Sequence, residues 1–269
     1  MSNNTVAKAV QEPATVLVTG ATSGIGKAIA LGFAKNHLAI AINGFGKDEE
    51  IAAVLNELKA AGAKEAIHVP SDMSLAGDID RLITTTQKKL GSLDVLVNNA
   101  GIQYTANVED FPAEKWDQII AINLTSAFHT TRLALPMMKE RNFGRIINIA
   151  SVHGLVASVQ KAAYVAAKHG IIGLTKVVAL ECAQQNITAN SICPGWVLTP
   201  LVEAQVSAIA TKDGINRDQA VEKLLSEKQP SLRFVALEEL AALCLFLSSS
   251  SAASITGASM PIDGGWTAR

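Results

Sequence analysis

The sequence predicts a doubly wound α/β domain: a seven-stranded parallel sheet with helices on both faces. Three observations carry this. Short apolar, β-branched stretches alternate with longer helical segments along the chain. Hydrophobic residues make up 49% of the 269, yet aromatics only 4%, as suits a large sheet buried under aliphatic side chains. The turn clusters between the segments are short, and nothing reads as an interdomain linker.

The elements follow in order. Thr15–Val18 is the first strand, and a glycine-rich turn leads from it into the helix Gly26–Lys35. Strand Leu38–Ile42 precedes helix Glu49–Ala61, Ala66–Val69 precedes Ile79–Leu90, and Val95–Val97 precedes one long helix, Trp116–Lys139. Ile146–Ile149 is followed by helix Ala162–Gln184, and Ile187–Ile192, helix Leu237–Ser248 and strand Ser259–Ile262 complete the alternation. Residues 14–269 are thus expected to form one catalytic domain behind a flexible tail, residues 1–13. The exception to the alternation is Thr199–Pro230, which is richer in charge, has no strand signal and follows a Pro194-Gly195 turn. An insertion there is expected to act as a substrate lid.

Composition narrows the function. The formal net charge is −1 and no long Lys/Arg run exists to track a phosphate backbone or an anionic membrane, so neither nucleic acid nor a membrane is an expected partner. The tail lacks the charge and apolar core of a secretory signal, and no uncharged apolar run reaches the span of about 18 residues needed to cross a bilayer. Three cysteines, Cys182, Cys193 and Cys244, are odd in number and widely spaced, which suits a reducing cytoplasm. His37, His68, His129, His153 and His169 lack metal-ligand spacing, so no catalytic metal is expected.

The first strand runs into Gly20-Ala21-Thr22-Ser23-Gly24-Ile25-Gly26 and then a helix. Glycines let the backbone approach a ligand closely, and a helix N-terminus offers free N–H groups to a pyrophosphate, as in Rossmann-like folds. Tyr164 and Lys168, four residues apart, share one face of a helix. A tyrosine with its ordinary pKa of about 10 is a poor base. A lowering of about 3 units, roughly 4 kcal/mol, needs more than one positive charge nearby, and Lys168 supplies one of them. Ser151, after the fifth strand, stands where ligands bind in such sheets and can hydrogen-bond a reacting oxygen.

The glycine spacing, Asn98-Asn99-Ala100-Gly101, Ser151, Tyr164-x-x-x-Lys168 and Pro194-Gly195 together resemble the short-chain dehydrogenase/reductase family, in the right order over most of the chain. The resemblance implies oxidation of a secondary alcohol, with Tyr164 as general base, Ser151 and Lys168 as its supports, and Asn123 as a fourth member carrying a water to the lysine. Asn123 also reads as a polar residue that bends its helix. Further cofactor contacts are implied at Gly20, Thr22, Ser23, Gly24, Ile25, Gly26, Phe45, Asp72, Met73, Asn99, Ala100, Gly101, Pro194, Gly195, Val197 and Thr199. Asp72 resembles the residue that binds the adenine amino group, and reads equally as a helix cap. The acid that usually binds the adenosine ribose is missing from Asn43-Gly44-Phe45-Gly46-Lys47. NAD is nonetheless expected, because neither Ser23 nor Gly44 is basic and Phe45 crowds a 2′-phosphate; Lys47 is the residue that would favour NADP.

A narrower resemblance, from Val16 to Arg269, is to members of that family that oxidise D-3-hydroxybutyrate. It is carried by Asn99-Ala100-Gly101-Ile102-Gln103, Ser151-Val152-His153-Gly154, Gln160-Lys161, Cys193-Pro194-Gly195-Trp196, Leu201-Val202-Glu203-Ala204-Gln205 and Asp263-Gly264-Gly265-Trp266. It implies that Gln103, Lys161 and Gln205 bind the substrate carboxylate, that His153, Trp196 and Trp266 enclose its carbon chain, and that the chain forms a homotetramer. Each also has a plainer reading: Lys161 and Gln205 as solvated loop residues, the tryptophans as packing groups, His153 as a helix-end residue. His153 reaches the site of Ser151 if the segment between them stays extended. NADP-dependent reductases of 3-oxoacyl thioesters share the general motifs but need an open channel for a carrier arm. A non-catalytic nucleotide-binding regulator of this fold would be marked by loss of Tyr164 or Lys168, and both are present.

Overall fold

Residues that alternate along a strand face opposite sides of its sheet, and both sides here are apolar. On β1 (Thr15–Val18), Val16 and Val18 enter one core and Leu17 the other; on β4 (Val95–Asn98), Val95 and Val97 join the first and Leu96 the second. The computed structural model describes residues 12–268, so all of the expected tail except Glu12 and Pro13 lies outside the described residues.

With β2 (Ala39–Ile42), β3 (Glu65–His68), β5 (Gly144–Ile149), β6 (Ile187–Pro194) and β7 (Ser259–Ile262), the strands form a seven-stranded sheet in the order β3-β2-β1-β4-β5-β6-β7. Every pairing is parallel, as the sequence predicts. Helices α1 (Gly24–Lys35) and α2 (Asp48–Ala60) lie on one face, and α3 (Ala76–Leu90) on the other. The strand order reverses between β1 and β4, which opens a crevice at their C-terminal ends.

Two predicted elements differ. The long helix expected over Trp116–Lys139 is two helices, α4 (Ala113–Ile120) and α5 (Ser126–Arg141), joined by a π-helical turn at Ala121–Thr125. Asn123 sits in that turn; its Oδ1 accepts from the Ile102 N–H at 2.8 Å and its Nδ2 donates to the Ile102 carbonyl at 2.9 Å. The segment Thr199–Pro230, for which no strand was expected and no helix was named, folds as α7 (Pro200–Asp213) and α8 (Arg217–Lys228). Pro200 starts α7 behind a Thr199 cap, and Asn216 with Gln219 forms a capping box on α8. Val202, Val206, Ala220 and Leu224 form a small core between the two helices, and Arg217 clasps Glu203 in a bidentate pair at 2.8 and 2.7 Å.

The remaining helices are α6 (Ala162–Glu181) and α9 (Leu237–Ser248). α9 packs on α1 in the first layer, and α6 packs on β6 in the second. α6 is long and apolar enough to cross a membrane by length and composition, but it buries Lys168 and Thr175 against the sheet as a layer helix.

One polar chain runs through the second layer. Asn98 on β4 donates to Asn148 Oδ1 on β5 at 2.8 Å, and Asn148 donates to Thr175 Oγ1 on α6, also at 2.8 Å. Thr175 meets Ser191 on β6 at 2.8 Å, and Thr130 on α5 donates to Asn98 at 2.7 Å. All five residues are buried. Replacing Asn148 with Ala leaves Asn98 and Thr175 each short of a partner, at about 1–3 kcal/mol per buried unpaired group. Asn148→Ala is therefore expected to lower the thermal midpoint by several degrees, read by calorimetry, whereas the exposed Asn36→Ala should leave it nearly unchanged.

Candidate active site

The end of β1 and the start of α1 form a cradle. Gly20 has φ +62°, and an added Cβ would lie 2.9 Å from the Ala100 Cα; at Gly26 it would lie 2.4 Å from the Gly20 carbonyl oxygen. Asn99 holds this turn by donating to the carbonyls of Thr19 and Gly20 at 2.9 and 3.0 Å, while Thr19 Oγ1 accepts from the N–H groups of Asn99 and Ala100. At Gly24 a Cβ would meet only Thr199 Cγ2, at 3.9 Å. The first turn of α1 has no acidic residue, and the Ser23 hydroxyl does not cap it. Free N–H groups, open space and an uncompensated helix dipole fit a dinucleotide pyrophosphate.

From this cradle a cavity of about 620 Å³ extends across the ends of β4, β5 and β6. Tyr164 stands in the first turn of α6 and Lys168 one turn later; the Lys168 ammonium lies 5.6 Å from the Tyr164 ring centre and donates to the Ile149 carbonyl at 2.7 Å. Burial pulls Lys168 down to about 8. Burial also pushes the Tyr164 phenol up, and a hydrogen bond with Ser151 opposes that rise. In the chain alone, loss of solvation outweighs the Ser151 hydrogen bond, and the expected lowering calls for the charges of Lys168 and a nicotinamide together.

At the far end, Trp196 and Trp266 pack with ring centres 5.8 Å apart. His153 meets Trp266 edge-on at 5.4 Å and Tyr164 at 6.0 Å. Lys161 places its ammonium 5.4 Å from the Trp196 ring. Gln160, just before it, adopts φ +63°, which turns the chain into α6. Burial, followed by the charges of Lys161, Lys228 and His169, holds His153 down at about 3, so its ring is neutral near pH 7. The segment after Ser151 is not extended: it enters a 3-10 turn, Val152–Gly154, and the His153 N–H donates to Ser151 Oγ at 3.1 Å. This cap, rather than an extended strand, brings serine and histidine together.

A short chain dehydrogenase family model matches residues 14–210. This chain belongs to the short-chain dehydrogenase family. It is 57% identical over 255 residues to a D-beta-hydroxybutyrate dehydrogenase of Cupriavidus necator, covering 95% of this chain and 98% of that protein. It is 50% identical to a D-beta-hydroxybutyrate dehydrogenase of Rhizobium meliloti, covering 95% and 99%. Among solved structures it is similar to an actinorhodin polyketide ketoreductase with NADPH, at a TM-score of 0.88 and 35% identity over 94% of this chain and 97% of that one.

Within this short-chain dehydrogenase, one continuous cavity is lined by Gln103, His153, Lys161, Trp196, Gln205 and Trp266 at one end and the glycine turn at the other, with Ser151, Tyr164 and Lys168 between. Phe45, Met73, Pro194, Gly195, Val197 and Thr199 also line it. Three expected residues do not. Gly26 serves close packing beneath the turn. Asn123 has both side-chain polar atoms engaged with Ile102, which does line the cavity. Asp72 accepts from the Ser74 N–H and hydroxyl at 2.8 and 2.7 Å, and α3 begins after Leu75, so Asp72 caps a turn and not the helix. Asn43, buried and donating to the Ser71 carbonyl at 2.9 Å, lines the cavity without having been expected to; an Asn at a strand end beside glycine was the available signal. Lys228, which is not among the cavity-lining residues, places its ammonium 5.8 Å from the Trp266 ring, and only the fold of α8 brings it there. Among the described residues no group of three or more His, Cys, Asp or Glu gathers to hold a metal.

Two outcomes follow from this geometry. Gly26→Ala forces a Cβ into backbone and is expected to abolish dinucleotide binding, measured by titration calorimetry. Because folding lowers the Lys168 pKa, the buried cation opposes folding below about pH 8, and that penalty is relieved as pH rises from there toward the ordinary lysine value of about 10.5. Wild type should therefore gain stability between about pH 8 and 10 relative to Lys168→Met, measured by paired denaturant titrations.

Proposed function

We propose that this protein is an NAD-dependent dehydrogenase that reversibly oxidises D-3-hydroxybutyrate to acetoacetate. The observation that carries the reading is one cavity joining a proton-transfer group, Ser151 and Tyr164, to a lined end with one cation, two amides and two indoles: Lys161, Gln103, Gln205, Trp196 and Trp266. One carboxylate with a three-carbon remainder suits that lining, and the two relatives at 57% and 50% identity bear names that agree with it.

A bound nicotinamide supplies the hydride acceptor. Lys161, Gln103 and Gln205 grip the substrate carboxylate, and the indoles exclude water from its carbon chain. Ser151 hydrogen-bonds the reacting oxygen. Tyr164 takes the hydroxyl proton as the carbinol hydrogen leaves with its electron pair, and Lys168 holds the nicotinamide ribose and favours the ionised phenol. Asn123 fixes Ile102 in the cavity wall.

NAD is favoured over NADP by the rim beyond β2. Thr22 donates its hydroxyl to the Phe45 carbonyl at 2.8 Å, Gly44 has φ +154° with Thr22 Oγ1 2.6 Å from an added Cβ, and Lys47 is not among the cavity-lining residues. Among the described residues, none that lines the cavity at that rim is a cation able to receive a 2′-phosphate. The reading includes a homotetramer paired through α5 and α6, supported by the exposed Phe128, Val177 and Leu180. It also includes a reducing cytoplasmic setting, supported by three buried, unpaired cysteines.

Parallel assays with D- and L-3-hydroxybutyrate, each with NAD and NADP, are expected to show turnover with the D enantiomer and NAD. Turnover only with NADP or with 3-oxoacyl thioesters would overturn the substrate and cofactor together. Tyr164→Phe should bind NAD normally and lose turnover by orders of magnitude. Lys161→Ala should raise KM for the hydroxy acid at least tenfold, the effect of removing a charge-assisted contact of about 1.4 kcal/mol or more.

A further inference from the structure

We propose that Lys228, on the lid, is a positioning residue that acts on Tyr164 through a directed chain of hydrogen bonds in which Ser158, His153 and Ser151 are the links. The proposal rests on the reading of Tyr164 as the general base. Lys228 Nζ donates to Ser158 Oγ at 3.4 Å, Ser158 Oγ meets His153 Nε2 at 2.9 Å, and His153 Nδ1 meets Ser151 Oγ at 3.4 Å. Ser151 and Tyr164 line the same cavity, and the Ser151 hydroxyl is the side-chain group that opposes the rise of the phenol.

Donor counting allows a direction toward Tyr164, and we infer that the chain takes it. An ammonium only donates, so Ser158 accepts from Lys228 and its own hydrogen is available to His153 Nε2. The His153 ring is neutral near pH 7 and carries one hydrogen. With Nε2 accepting, that hydrogen is on Nδ1 and points at Ser151. Ser151 Oγ already accepts from the His153 N–H at 3.1 Å. Its single hydrogen is therefore left for the phenol oxygen. Every link then polarises the next toward Tyr164, and a donor to the phenol oxygen favours its ionised form. No proton needs to move along the chain.

Lys228 is the last residue of α8, whereas Ser158, His153, Ser151 and Tyr164 belong to the body of the domain. The chain is complete only with α8 over the site, which couples lid position to the acidity of the base. The charged and titratable groups around it are Lys161 and His169, which with Lys228 face His153; Glu227, beside Lys161; Lys168, against Tyr164; and Cys193 with Asp263, behind Ser151. A cation that only gripped the substrate carboxylate would not need Ser158 and a neutral, directed imidazole.

The test uses the full-length enzyme with NAD and D-3-hydroxybutyrate, recording kcat against pH for wild type, Lys228→Met, Lys228→Arg, Ser158→Ala and the Lys228→Met/Ser158→Ala pair. Lys228→Met is expected to move the acid limb of kcat upward by about half a unit, the direction given by loss of a donor to the phenolate. Arg should restore most of it, Ser158→Ala should reproduce the shift, and the double variant should add nothing further. An unmoved limb with a change confined to KM, or additive shifts, would overturn the proposal. Nitrogen NMR of labelled histidine in wild type, without substrate or NAD, should show His153 neutral with hydrogen on Nδ1 between roughly pH 5 and 9; hydrogen on Nε2 would also overturn it. Near-normal turnover of Tyr164→Phe would remove the base assignment and this inference together. An inactive Tyr164→Phe beside an unshifted Lys228→Met limb would remove this inference alone.

Discussion

The placement of Ser151, Tyr164 and Lys168 depends on the buried polar chain from Thr130 through Asn98, Asn148 and Thr175 to Ser191. Apolar packing fixes how far a helix stands from a sheet but is tolerant of sliding along it. Directional bonds between buried groups are not, because a slip leaves each of them unpaired in a medium without water. Thr175 lies two turns beyond Lys168 on α6, and Asn148 lies just before Ser151 on the way out of β5. One network thus fixes the height of Tyr164 and Lys168 against the serine they work with.

Burial has opposite consequences for the groups so placed. It disfavours charge on Tyr164, Lys168 and His153 alike. For the imidazole this is useful, since a neutral ring both accepts and donates. For the phenol it is a handicap that positive charge and donors from neighbouring elements must offset. Lysines approach this region from three places: Lys168 inside α6, Lys161 at its start and Lys228 at the end of α8. Loss of solvation makes each charge count for more than it would at the surface.

Much of this was legible in the chain. Alternating apolar runs and helical segments gave the sheet and its seven strands, since a strand buried on two faces has no room for polar residues except those paired inside. The glycine turn, Tyr164 and Lys168 were legible because each motif depends on spacing within one element: φ at Gly20, or one helical turn between two side chains. The lid helices were less so. Their apolar positions, Val202 and Val206 on α7 and Ala220 and Leu224 on α8, bury against each other, a pairing that neither segment shows by itself. The π turn at Asn123 was hidden because its cause is a backbone partner, Ile102, about twenty residues earlier.

What the sequence by itself determined is local: the order of strands and helices, the glycine turn between β1 and α1, the pairing of Tyr164 and Lys168 on one face of α6 and the types of side chain available to a site. What only the tertiary structure decided is which residues meet. Asp72 turned to its own loop, Asn123 to Ile102, and Lys228 to a serine seventy positions away. The physical reason is that a hydrogen bond is set by distance and direction in space. Spacing along the chain fixes these only while both partners share an element.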